Sequence, residues 1–250
     1  MLRQVLTSGL IAAGAILAPA VIQAAVVTSP YQFDFNDGTA GSLTLAAPAS
    51  WSVGDGVLTS TCPGGWQVNS AIVQMIGSDT ADFATSVQVA PIAFAYSGGF
   101  VALLARSTDS DNGSENSEGY SARLSIGFND TATLSIFRGS TNLFDSTTFT
   151  QGNSSKLYTL ALTGTKQVGG SLNLAASFSD SSAKSIATAS FSDAVGNVVS
   201  VGDHYGLKAR IYGGNPMTLQ FDNYSVSVPE PASIGLLMIS GAILARRRQR

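Results

Sequence analysis

Tyr120-Ser121-Ala122-Arg123-Leu124-Ser125-Ile126 is the stretch from which the fold can be read. Tyr120, Ala122, Leu124 and Ile126 alternate with Ser121, Arg123 and Ser125, and successive strand residues point to opposite faces, so this period of two marks a strand with one apolar face. The rhythm returns on both sides. It appears in Ala132, Leu134 and Ile136, in Tyr158, Leu160 and Leu162, and in Leu172, Leu174, Ala176 and Phe178. Earlier, Tyr31, Phe33 and Phe35 alternate with polar residues before Asn36-Asp37-Gly38, and Trp51-Ser52-Val53 runs through Gly54-Asp55-Gly56 into Val57-Leu58, each a strand meeting a turn. Residues 71–75 and 84–89 read as short strands, and residues 61–69, with Cys62, Pro63, Gly64, Gly65 and Trp66, as a loop. Residues 100–106 are almost continuously apolar, as in a strand covered on both faces. A last run, Leu219, Phe221 and then Tyr224, Val226, closes the series. No sustained period of 3.6 occurs between residues 25 and 228, and no fixed repeat suggests a solenoid. The expectation is an all-β, antiparallel two-sheet sandwich.

The two ends have a different composition. Arg3 is followed by an uncharged run through Leu6, Leu10, Ile11, Ile16 and Leu17 to Ala18-Pro19-Ala20 and Gln23-Ala24-Ala25, the pattern of a secretory signal peptide over residues 1–24. Such a leader implies the Sec export machinery. At the other end, Val228-Pro229-Glu230-Pro231 precedes an uncharged segment, residues 232–245, and then Arg246, Arg247, Arg248 and Arg250. The prolines fix φ and remove backbone donors, so the tetrapeptide stays extended and open to a protease. A helix over residues 232–245 would be about 21 Å long, at about 1.5 Å per residue. That is short of the roughly 30 Å hydrocarbon core, and snorkelling arginines close part of the gap. The positive-inside bias puts the arginines in the cytoplasm and the Pro-Glu-Pro outside. The sandwich is therefore expected over residues 25–227, flanked by a signal helix and by a hydrophobic helix in residues 228–250.

The order of these C-terminal features resembles the PEP-CTERM sorting signal. That resemblance implies an exported protein, anchored transiently through its C-terminal helix and cut by an exosortase, then left at the cell surface or in an exopolysaccharide or biofilm matrix. Residues 25–228 hold eight Lys or Arg against fifteen Asp or Glu, a net charge of −7, which argues against a nucleic-acid partner. Cys62 is the only cysteine, so no internal disulfide forms; it is either a reactive or bridging thiol or a buried inert one.

A second resemblance spans the body. Phe33-Asp34-Phe35-Asn36-Asp37-Gly38, Gly56-Val57-Leu58, Tyr158-Thr159-Leu160 and Phe221-Asp222-Asn223-Tyr224-Ser225-Val226 look like the concanavalin A-like, laminin-G-like jelly roll, whose first and last strands lie together. The resemblance implies a Ca2+ site that pairs Asp34, Asn36 or Asp37 with Asp222. The acidic loop with Asp109, Asp111 and Glu115 is a second candidate on oxygen content, although Gly113 and Ser114 break the EF-hand pattern.

Catalytic sets are missing from the sequence. The Glu-x-Asp-x-x-Glu of jelly-roll glucanases is absent, and the body's only glutamates, Glu115 and Glu118, fall in a polar loop. His204 is the single histidine, no Gly-x-Ser-x-Gly elbow is present, and Gly202-Asp203-His204 reads as a turn opening a strand. The leading expectation is a non-enzymatic surface or matrix protein. The alternatives are a lectin-like carbohydrate-binding module, with Trp51 and Trp66 beside Tyr96, Tyr120, Tyr205 and Tyr212 as aromatic candidates for stacking on sugar, and a glycoside hydrolase whose carboxylate pair the linear sequence hides.

Overall fold

The computed structural model describes residues 26–27, 29–46, 50–62, 68–75, 82–90, 98–108, 118–127, 131–150, 157–199, 202–212 and 217–228. The leader, the segment from Pro229 onward, Trp66, Tyr96 and the acidic loop with Asp109, Asp111 and Glu115 lie outside these residues. Seventeen strands, numbered in chain order, form two sheets among the described residues.

The first sheet runs β1 (Val26–Val27), β6 (Val68–Met75), β16 (His204–Ile211), β8 (Gly99–Ser107), β9 (Tyr120–Ile126), β10 (Thr131–Arg138), β11 (Thr141–Asp145). β3 (Thr44–Ala46) adds to β6, and β12 (Phe149–Thr150) adds to β10. The second sheet runs β15 (Ser185–Asp193), β14 (Leu172–Asp180), β13 (Tyr158–Lys166), β7 (Phe83–Ala90), β17 (Met217–Ser227), β5 (Val57–Cys62), β4 (Trp51–Gly54), with β2 (Tyr31–Phe33) on β17. Every pairing is antiparallel except that of β1 with β6.

The alternation in sequence becomes a core between the sheets. Val101, Leu103, Leu124, Leu134 and Leu207 of one sheet share a buried cluster with Val87, Leu160, Leu174, Phe178 and Phe221 of the other. β8 is buried along its whole length, as its unbroken apolar run requires, and on the far side of its sheet Ile72 and Leu104 form a small second cluster. The expected loop over residues 61–69 is shorter than the sequence suggests. Thr61 and Cys62 finish β5, and Val68 and Asn69 begin β6.

One end of the sandwich is tied by a polar knot. Asp193, at the end of β15, is buried; it accepts a hydrogen bond from the Tyr120 hydroxyl (2.7 Å) and pairs with the Arg138 guanidinium. Tyr120 Oη in turn accepts from the Val199 amide (3.0 Å), and Arg106 donates to the Val199 carbonyl (3.1 Å) while lying 5.5 Å from the centre of the Phe83 ring. Tyr120, Arg138 and Arg106 come from the first sheet, and Asp193 and Phe83 from the second. The knot therefore clamps the two layers.

Cys62 is 1% exposed. Its sulfur lies 3.6 Å from Asn69 Nδ2, which also donates to Ser60 Oγ (2.9 Å) and to the Thr61 carbonyl (3.1 Å). Burial pushes the thiol pKa up, so little thiolate exists at neutral pH. Iodoacetamide at pH 7.5 is expected to alkylate the folded protein at least roughly tenfold more slowly than the protein in 6 M guanidinium, read by mass spectrometry. Equal rates would place the thiol at an open surface.

Candidate functional site

β2, the strand expected from Tyr31, Phe33 and Phe35, meets the last strand, β17, as the jelly-roll resemblance implies, with Tyr31 opposite Val226, Gln32 opposite Ser225 and Phe33 opposite Tyr224. Two backbone departures shape what lies beside this seam. In β17 the register against β7 shifts between Asp222 and Ser225, a bulge that puts Asn223 in the left-handed region at φ 49°. Asparagine tolerates this conformation better than most residues, and bulges re-aim side chains. Just past β2, Phe35 is also left-handed at φ 58°, which turns its ring into the core and leaves Asp34 and Asn36 outside. A left-handed phenylalanine is strained.

Between these two points lies a cleft of about 500 Å3 lined by Gln32, Phe33, Asp34, Asn223, Tyr224 and Ser225. Its polar groups are already positioned. Asn223 Nδ2 donates to Asp222 Oδ2 and to Gln88 Oε1, both at 3.0 Å, which fixes the amide plane, and Ser86 and Ser225 share a hydroxyl hydrogen bond of 2.8 Å. Asn36 donates to both Asp34 oxygens, from its side chain at 2.8 Å and its backbone at 3.2 Å. The side-chain bond is the larger cause holding the Asp34 carboxyl below the usual carboxylate range, so it is an acceptor at neutral pH. The cleft offers a carboxylate, amides and a hydroxyl beside the half-buried Phe33. That mixture suits a small polyol, because each hydroxyl of the ligand can both donate and accept.

A second, uncharged cleft of about 550 Å3 lies on the same sheet, across β13, β14 and β15, with Thr163, Thr165, Gln167, Asn173, Ser190 and Ser192 among its lining residues. Among the described residues Asp34 is the only carboxylate lining either cleft. The carboxylate pair that a glycosidase requires therefore does not appear in them.

The residues expected to hold calcium are each engaged in local contacts. Asp37 accepts from the Thr39 amide and hydroxyl (2.9 Å each), Asn36 Oδ1 sits where a side chain at Gly56 would be, and Asp222 accepts from the Asn223 amide (2.7 Å). Among the described residues no three His, Cys, Asp or Glu side chains gather around a point that could hold a metal ion.

Trp51 is 8% exposed, donates from Nε1 to the Ala46 carbonyl (2.9 Å) and packs against Phe221 at 6.0 Å, which places it in the core instead of on a sugar platform. Tyr120 and Tyr205 are buried as well, because they occupy the inward positions of alternating strands. His204 opens β16 as expected, with Nδ1 at 2.8 Å from Asp203 Oδ1. Asn223, Gln32 and Ser225 are site residues that the sequence reading does not single out, and for Asn223 a signal exists. Phe221 and Tyr224 are three apart where the alternation demands two, and that break in parity marks a bulge.

No family model matches the chain, and a comparison with curated proteins finds no match. Solved structures do resemble it. The carbohydrate recognition domain of Emp47p aligns with 79% of this chain and 95% of its own at 12% identity and a TM-score of 0.54. The exoplasmic/lumenal domain of VIP36, in a Ca2+/Man3GlcNAc-bound form, aligns with 73% of this chain and 82% of its own at 12% identity and a TM-score of 0.52. Alginate lyase Aly36B aligns with 80% of this chain and 97% of its own at 11% identity and a TM-score of 0.52. With these structures the chain shares an antiparallel two-sheet jelly-roll fold.

Proposed function

We propose that this protein is a carbohydrate-binding, lectin-like module that works without catalysis outside the cytoplasm. The observation that carries the proposal is the cleft at the β2–β17 seam, where Asp34, Asn223 and Ser225 are held by hydrogen bonds beside Gln32, between the left-handed Phe35 and Asn223. Strain of this kind costs of the order of 1–3 kcal/mol per residue and concentrates at ligand sites. Emp47p and VIP36 give the fold a precedent for sugar binding. The alginate lyase shows that the same sandwich can also carry catalysis; what the described lining of the two clefts lacks is the carboxylate pair of a glycoside hydrolase.

The leader and the Val228-Pro229-Glu230-Pro231 segment with its arginine tail support export, transient anchoring in the bilayer and cutting by an exosortase. In this view the body ends at the cell surface or in an exopolysaccharide matrix, which it binds. Fifty of residues 25–228 are Ser or Thr, so the surface also offers many acceptors for glycosylation.

A glycan array with the purified protein tests the binding reading. Retention of at least one neutral mono- or disaccharide is expected, with Asn223→Ala and Asp34→Ala each reducing affinity about three- to tenfold, since each removes a hydrogen-bonding group from the cleft. No retention on any glycan would overturn it. The same titration in EDTA is expected to leave affinity unchanged, because Asp34, Asp37 and Asp222 do not gather; a loss on chelation would return calcium to the site. Mass spectrometry of surface-released protein is expected to find neither residues 1–24 nor residues 246–250.

A further inference from the structure

The two clefts open on one face of one sheet, and the ladder between them has an unusual composition. Across β15, β14, β13, β7, β17 and β2 the residues Thr188, Ser177, Ala161, Ser86, Ser225 and Gln32 stand opposite one another in turn. Paired residues in a ladder share a face, so these six form a single row on the outside of the sandwich, opposite the buried Ala176, Leu162 and Val87. At about 4.8 Å between strands the row is about 24 Å long. Beside it runs a second row with Ser190, Ala175, Thr163, Ala84 and Ser227. The sugar cleft sits at one end of these rows and the uncharged cleft at the other.

Neither row contains a charged side chain. Asp222 and Asp34 stand only at the β17 and β2 end. A face that merely kept the sheet soluble would carry charges of both signs, as exposed surfaces do. Here small hydroxyls and alanines leave the face low and open, with hydroxyl groups repeating strand by strand.

We infer that this face holds an extended, uncharged polysaccharide laid across the strands, with its end seated in the Asp34–Asn223 cleft. The inference rests on the carbohydrate reading of that cleft and names the ligand's class and direction. The spacing between strands is close to the length of one hexopyranose in an extended chain, so each of β15, β14, β13, β7 and β17 can meet one sugar with a hydroxyl from one row or the other. The rows hold no cation to pair with uronate or sulfate, and a body of net charge −7 repels a polyanion. They also hold no aromatic ring to lie flat on a crystalline surface, so a single soluble chain is the fitting form.

Calorimetry on the full chain in detergent tests the inference, with cellohexaose, laminarihexaose and mannohexaose, their disaccharides, and a hexagalacturonate as the anionic probe. Affinity for one neutral hexasaccharide is expected to exceed that for its disaccharide about tenfold or more. The double variant Thr163→Glu, Ser177→Glu is expected to abolish that gain and leave disaccharide affinity unchanged. Should that variant melt early, Thr163→Ala with Asn173→Ala serves instead, with about a threefold loss expected for the hexasaccharide alone. Equal affinity for disaccharide and hexasaccharide overturns the row while the cleft stands. So does a folded variant with hexasaccharide affinity intact, or tighter binding of hexagalacturonate. Absence of any disaccharide binding defeats the cleft reading, and the row with it.

Discussion

Asp193→Ala is expected to lower stability by about 3–5 kcal/mol, the range for removing one partner of a buried ion pair. The carboxylate is 1% exposed and accepts from both Tyr120 and Arg138, so its loss leaves a phenol and a guanidinium without their acceptor at the seam between the sheets. Arg138 retains some solvent, at 25% side-chain exposure, which places the effect towards the lower end. For a domain of this size about 3 kcal/mol lowers Tm by roughly 10 °C. Urea unfolding followed by fluorescence measures it, and a loss under about 1 kcal/mol would mean that the knot is ornamental to folding. The same knot gives a pH dependence. Burial first, and then donation to Asp193, raise the Tyr120 phenol above its ordinary 10.0, and burial raises Tyr224 in the same direction. Groups raised on folding contribute stability that is fully present below pH 10 and is lost as the pH climbs through their raised values. Unfolding in mild alkali is therefore expected above pH 10, with a weaker dependence in the Asp193→Ala protein.

The second large effect belongs to Gly206→Ala. A methyl group at Gly206 would stand 2.2 Å from the Ala71 carbonyl oxygen and 3.0 Å from Ile72 Cα, all backbone of the neighbouring strand β6. No side chain can swing aside to relieve this. The strands must part where Gly206 faces Ile72 in the middle of the β6–β16 ladder. Overpacking ordinarily costs about 1–3 kcal/mol, and a clash with fixed backbone belongs at or above the top of that range. Gly196→Ala is the control, because nothing lies within 4 Å of its added methyl and its stability is expected to change little. Equal melting temperatures for the two variants would refute the tight approach of β6 and β16.

Where contrast between faces is strong, the sequence predicts the strand. Tyr120 to Ile126 became β9, and the continuous apolar run became β8, buried on both sides. β15 escaped notice because Ala187 and Ala189 alternate with Thr188 and Ser190, and alanine against serine carries little hydrophobic contrast. The short β11 and β3 are half-exposed edge pieces whose existence depends on a partner strand distant in sequence. Of the site, Asp34 was visible as an acidic residue in an aromatic strand, but its neighbours were not. Gln32 and Ser225 look like ordinary polar positions until the pairing of β2 with β17 sets them side by side. The same limit applied to the tryptophan. Whether a ring is inside or outside depends on which face of the sheet it occupies, and Trp51 lies on the inner one.

β17 lies in the middle of its sheet, between β7 and β5, and it is the last strand of the body to leave the ribosome. Half of the sandwich thus has no central rail until residue 227 has been delivered, and contacts of such long sequence separation form slowly, on the millisecond-to-second scale. On the export route proposed above, the chain would cross the membrane unfolded and assemble only at the end of the journey, while its C-terminal segment would still hold it at the bilayer. A chain cut short before Met217 would lose its keystone and not merely its hem, and the expected product is an insoluble fragment.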